Sequence, residues 1–239
     1  MMSELSEKIR AYIEKIEKET GRPVSIKMVQ DVGLRGMKAE FELDPEYIRV
    51  KIVQNIETEK FEQSIAHEIT HGFLAYKKKY CQLDYVQEPN EIEGKSIDII
   101  VTMIEDIVVN KIIQEENFQP YPYDYLDKIQ NDTKNIRKSK GRFPQLHQDP
   151  VLNDRIMILR YIGAWSLLKY FNLDSFSLRV ISKFIKCFKK SYPKQYEAAE
   201  QIEEIILENN IFTSEGYYKA IKRCLELWNL VNLVKFVTV

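Results

Sequence analysis

Glycine and proline are scarce in this chain, at eight each in 239 residues. A protein built from many tight β-turns needs more of both, so the scarcity argues against an all-β fold and for long helices. Cysteine is rarer still. Cys81, Cys187 and Cys224 are far apart, odd in number and outside any CxxC pair, which excludes a disulfide framework and a cysteine-based zinc knuckle. No uninterrupted apolar run approaches the ~20 residues a membrane span requires. The first 23 residues are charged and helical in pattern, without the apolar stretch of a signal peptide. Charge of one sign is missing too: 35 basic against 36 acidic residues leave a net charge of −1, so no global field pulls the chain toward nucleic acid or an anionic membrane. These absences lead us to expect a cytoplasmic protein with neither a membrane nor a nucleic-acid partner.

What is present is a change of period. Leu5, Ile9, Tyr12, Ile13 and Ile16 recur at helical spacing over residues 4–19, ended by Gly21 and Pro23. From Val24 to Asn55 apolar and polar residues alternate in three stretches separated by "DVGLRG" and "DPE", which predicts three strands in an antiparallel meander. The helical period then returns over about 58–78, 94–116, 153–171, 175–190, 194–209 and 214–234. Residues 117–148 are irregular, with a tyrosine- and proline-dense "FQPYPYDYLD" and a basic run "KNIRKSKGR", and leave room for one short helix. The expected organisation is a subdomain over 1–116, a long connection over 117–149 that lines a cleft, and a helical lobe over 150–239.

Two of the three histidines fall in "SIAHEITHGF", residues 64–73. On a helix, residues four apart share a face, so His67 and His71 project side by side. Two neutral imidazoles held in this way supply two corners of a tetrahedral zinc site. Glu68 is turned by about 100° from His67 and can accept a proton from water activated by the metal without being a ligand. The flanking Ile65, Ala66, Ile69, Thr70, Gly72 and Phe73 are uncharged, as a helix passing through an interior requires. Glycine at position 72 costs about 1 kcal/mol of helix stability against alanine, which suggests close packing beside the second histidine.

"HEITH" following a strand resembles the zincin metallopeptidases. The resemblance covers about 25 residues and the order of elements; the chain after residue 150 resembles no family. It implies a zincin-like small antiparallel sheet packed on the motif helix, in an α+β, mostly helical chain with a C-terminal all-helical lobe. It implies zinc-dependent hydrolysis of a peptide bond in a peptide or protein substrate, and an edge strand, Tyr47 to Asn55, on which the substrate lies antiparallel. The metzincin continuation is absent, because Leu74 and Lys77 occupy its glycine and third-histidine positions. The gluzincin-like branch instead takes a glutamate from the next helix. In "IDIIVTMIEDIVVNKII", residues 97–113, Glu105, Asp106 and Asn110 interrupt apolar residues that go almost all the way round. An unpartnered buried carboxylate costs several kcal/mol, and a metal would remove that cost. Glu105 is therefore the expected third ligand, with Glu93 as second choice and Asp98 also open. Asp106 is expected behind the ligands, orienting a histidine through its other ring nitrogen, and Asn110 extends that network.

A donor that steadies the oxyanion of the transition state is sought in His147, of "FPQLHQDP", or in Tyr161; Tyr121, Tyr123 and Tyr125 are further candidates. The run 134–142 reads as a solvated basic face rather than a phosphate contact. Two other readings stand beside the peptidase: a catalytically silent zincin-fold protein that binds or regulates, and a metal-free helical interaction protein.

Overall fold

The computed structural model describes residues 5–30, 39–53, 58–122, 125–138 and 145–238. Among them the fold is α+β and mostly helical, with helices α1 (Glu7–Thr20), α2 (Thr58–Tyr76), α3 (Glu91–Glu115), α4 (Tyr125–Lys138), α5 (Pro150–Tyr170), α6 (Ser175–Ser191), α7 (Pro193–Glu208) and α8 (Ser214–Leu227). The strands are β1 (Val24–Val29), β2 (Ala39–Leu43), β3 (Ile48–Val53), β4 (Gln82–Tyr85) and β5 (Val234–Val237). No described helix is long and apolar enough to cross a membrane.

The chain divides into two compact units. One comprises Met1–Tyr80, Val109–Tyr123 and Thr238–Val239, the other Cys81–Val108 and Asp124–Val237. The division departs from the expected segments 1–116, 117–149 and 150–239. Residues 81–108 go with the later helices, and α3 is one continuous helix whose two ends are counted in different units.

In the first unit, α1 opens on Ser6, whose side chain accepts from the Ile9 N–H, and closes on Gly21 at φ 70°, a left-handed conformation that glycine adopts without strain. Its buried stripe of Ile9, Tyr12, Ile13 and Ile16 packs with Ile65, Ala66, Ile69 and Phe73 of α2. Polar links lock the pair: Thr70 Oγ1 lies 2.7 Å from the Tyr12 hydroxyl and donates to the Ala66 carbonyl at 2.6 Å. Burial raises the Tyr12 phenol well above its ordinary pKa.

The sheet of this unit is not a meander. Its order is β1-β3-β2, with β1 parallel and β2 antiparallel to β3. The expectation of an antiparallel sheet fails at β1 because alternation fixes which face a residue occupies but not the direction of its neighbour. The face is as expected: Ile48, Val50 and Ile52 are fully buried toward α2, while Arg49 and Lys51 on the other face pair with Asp44 at 2.6 Å and Glu42 at 3.1 Å. The edge-strand expectation for Tyr47–Asn55 also fails. β3 is central, hydrogen-bonded on both sides, and among the described residues the edges are β1 and β2; Gln54 and Asn55 lie outside the described residues. Tyr76 ties the end of α2 to the β2–β3 turn, its hydroxyl donating to the Asp44 carbonyl at 2.8 Å and lying 2.9 Å from the Asp44 N–H.

The second unit is helical, with one small sheet. α5 begins at an Asp149 cap with Pro150 in its first turn, and α6 at an Asp174 cap that accepts from the Phe176 and Ser177 N–H groups. Its largest buried side chains include Tyr161, Phe184, Phe188 and Tyr217. Arg160 pairs with Asp132, and Arg155 bonds the Ser96 hydroxyl while its guanidinium lies 4.7 Å from the Trp228 ring centre. The C-terminal part is not all-helical: β5 pairs antiparallel with β4.

Candidate metal centre

The motif helix α2 is held so that its histidine face is fixed. Ile65, Ala66, Ile69, Thr70 and Leu74 are fully buried, which leaves His67, Glu68 and His71 half-buried on the remaining side. Gly72 explains how the helix approaches the sheet. A Cβ built there would stand 2.6 Å from Cγ2 of Ile48 and 3.2 Å from Cε2 of Phe41. Gly72→Ala is therefore expected to destabilise the protein. Overpacking of about 1–3 kcal/mol outweighs a helix-propensity gain of about 1 kcal/mol. Calorimetry should show the melting temperature lower by about 2–4 °C; an unchanged or raised value would mean that Ile48 yields freely.

The two imidazoles sit as the four-residue spacing requires. His67 Nε2 and His71 Nε2 are 3.2 Å apart, with ring centres at 4.9 Å and ring planes at 70°. Two nitrogens bound at about 2.0–2.1 Å to a tetrahedral zinc ion stand about 3.3–3.4 Å from each other, so the pair fits that donor geometry. Among the described residues, one group of three potential ligands contains them: His67, His71 and Asp106, whose ligand atoms all lie within 4.8 Å of one another. Two imidazoles and a carboxylate, all half-buried, are a donor set suited to zinc.

The third member differs from the expected one. The sequence places Asp106 behind the ligands and Glu105 among them; the group holds Asp106 and not Glu105. Consecutive residues on a helix diverge by about 100°. Glu105 is buried, at 6% exposure, and its carboxylate accepts from the Tyr217 hydroxyl at 2.9 Å. Cys81 lies close enough to feel that carboxylate. Burial first, and the Glu105 charge second, push its thiol up to about 12.

The second choice, Glu93, closes a capping box at the start of α3. Its carboxylate accepts from the Asn90 N–H at 2.9 Å, and Asn90 Oδ1 accepts from the Glu93 N–H at 3.0 Å. Asp98 is exposed and outside the group of three. The Oδ1 of Asn110 is buried without a hydrogen-bond partner among the described residues. Glu68 makes no hydrogen bond or ion pair among the described residues, so its carboxylate is committed to no structural task.

The oxyanion candidates are held by contacts within the fold. His147 Nδ1 accepts from the Asp149 N–H at 3.0 Å, in the turn that starts α5. Tyr161 is fully buried, its ring 4.9 Å from that of Phe188 and 5.5 Å from that of Tyr196, and burial above all raises its pKa. Tyr121 contributes its carbonyl, which accepts from Gln63 Nε2 at 2.6 Å. The Tyr125 hydroxyl is buried and faces Gly163, where an added Cβ would meet it at 3.2 Å. Tyr123 lies outside the described residues. The chain matches no family model, no curated protein and no solved structure.

Proposed function

We propose that this chain is a zinc-dependent peptidase in which His67, His71 and Asp106 hold the ion and Glu68 moves the proton. One observation carries the reading: two Nε2 atoms on adjacent turns of α2 stand 3.2 Å apart, with Asp106 in the same group. Bound there, zinc would polarise a substrate carbonyl and lower the pKa of water from about 16 to about 7. Glu68 then has two successive tasks at its carboxylate. It takes a proton from the attacking water and returns it to the nitrogen of the leaving amine. Strand β2 supports the choice of a peptide substrate. It lies at a sheet edge beside α2, and an extended peptide can add to such an edge through main-chain hydrogen bonds. The three cysteines form no disulfide with one another, as in proteins of a reducing compartment, and we place the protein in the cytoplasm.

The test is metal analysis of the full chain followed by digestion of a mixed peptide library read by mass spectrometry. The expected result is one zinc per chain and cleavage that disappears with a chelator and returns with added zinc. Failure to take up stoichiometric zinc after reconstitution would overturn the metal centre. Full zinc loading without cleavage would favour the silent binding protein.

A further inference from the structure

The second unit carries a concave basic surface between α4 and α6. Its main cavity encloses about 950 Å³ and is lined by Arg137 of α4 and by Arg179, Lys183, Lys186 and Lys190 of α6, over an apolar floor that includes Leu168. A smaller cavity of about 240 Å³ adjoins it, shares Arg137, Arg179 and Lys183, and adds Lys134 and Phe176. Among the described residues, no carboxylate lines either cavity.

Helical geometry makes this surface a track rather than a scatter of charges. Positions 179, 183, 186 and 190 follow the three- and four-residue spacing of one helix face, so their side chains run along about 16 Å of α6 at a rise of about 1.5 Å per residue. α6 contains no acidic residue at all. Lys134 and Arg137 of α4 are one turn apart; Arg137 lines both cavities and Lys134 the smaller one. All six cations are exposed, and none of them forms an ion pair with a carboxylate among the described residues. Elsewhere on the surface, pairing is common: Lys95, Lys219 and Lys222 each have an acidic partner four residues away. Self-repulsion along an unpaired row disfavours the free protein and is relieved by a bound polyanion.

Phe176 decides which polyanion. It is a phenylalanine 50% exposed at the start of α6, and the Arg179 guanidinium lies 5.7 Å from its ring centre. An exposed aromatic ring in line with a cationic groove is the pairing that single-stranded nucleic acid uses, with phosphates on the cations and a base stacked on the ring. An acidic peptide would use the cations but has no need of the ring.

We propose that the α4–α6 groove binds single-stranded nucleic acid. Net charge alone argues against such a partner, and the sequence shows only the run at 134–142, of which residues 139–142 lie outside the described set. The fold adds the α6 row to it. The inference is independent of the metal centre.

The test uses fluorescence anisotropy with the full chain, a labelled oligothymidylate or oligouridylate, and about 50 mM salt, a concentration at which phosphate contacts are little screened. The wild-type chain should bind saturably. Binding should weaken with salt with a logarithmic slope of about −0.7 per phosphate contacted. The double variant Lys183→Glu/Lys186→Glu should bind at least tenfold more weakly. The double variant Lys219→Glu/Lys222→Glu on α8, which has the same net charge, should change affinity less than twofold. Phe176→Ala should lose about fivefold or more for the single strand and much less for a duplex of the same sequence. Circular dichroism of each variant separates lost binding from lost folding. No saturable binding, equal weakening by both double variants, or equally tight binding of polyglutamate would overturn the proposal.

Discussion

Glu68→Gln is expected to bind zinc as the unaltered chain does and to hydrolyse peptides about 10²–10⁴-fold more slowly, the usual contribution of a positioned general base. Glutamine keeps the size and the hydrogen-bonding oxygen of glutamate but cannot take a proton. The side chain is half-buried on α2 and has no bond to the rest of the described protein, so the change severs no structural link. The melting temperature should therefore stay within a degree or two, and zinc content should be unaltered because Glu68 is not in the ligand group. The measurement is kcat/KM on a cleaved library peptide, with zinc content and thermal unfolding recorded on the same preparations. A rate equal to that of the unaltered chain would remove Glu68 from the chemistry. A lost rate accompanied by lost zinc would make it a ligand instead.

The second large effect distinguishes two neighbouring carboxylates. Asp106→Asn should weaken zinc binding by more than about 100-fold, since even groups that merely orient a ligand are worth about 10–100-fold. Glu105→Gln should leave zinc affinity within a few-fold, because the amide oxygen can still accept from Tyr217. Its cost is in stability, about 1 kcal/mol for exchanging a charged acceptor for a neutral one. Competition against a zinc-chelating dye measures both affinities. The opposite pattern, with Glu105→Gln losing zinc and Asp106→Asn keeping it, would return the third position to Glu105.

The one-residue difference between those assignments shows where sequence reading stops. The histidine pair is legible because four-residue spacing and a rigid helix fix two side chains relative to each other. The carboxylate comes from α3, which is apolar almost all round, so nothing in its own pattern fixes its rotation. The partner of Glu105 in the fold is Tyr217, more than 100 residues later. Glu93 was readable: "NEIE" at 90–93 is an N-x-x-E capping signal, and the structure uses it as one. The helices α2, α5, α6 and α7 fall within a few residues of their expected bounds because each has a buried stripe at helical period. The direction of β1 was not legible, since pairing direction leaves no mark on alternation. The helix expected over 214–234 stops at Leu227, and β5 at its far end is marked by a partner strand that lies at 82–85. The α6 row of cations could have been found from its spacing alone; its facing residues on α4 could not.

The pairing of β4 with β5 has a consequence for synthesis of the chain. Gln82 is matched to Val237 and Tyr85 to Val234, so the ribosome adds about 150 residues between completing β4 and completing β5. At about 5–20 residues per second that is roughly 8–30 s. For that interval the backbone groups of β4 that β5 later satisfies stay open to any passing strand. Chaperone demand during translation should therefore concentrate on this short segment.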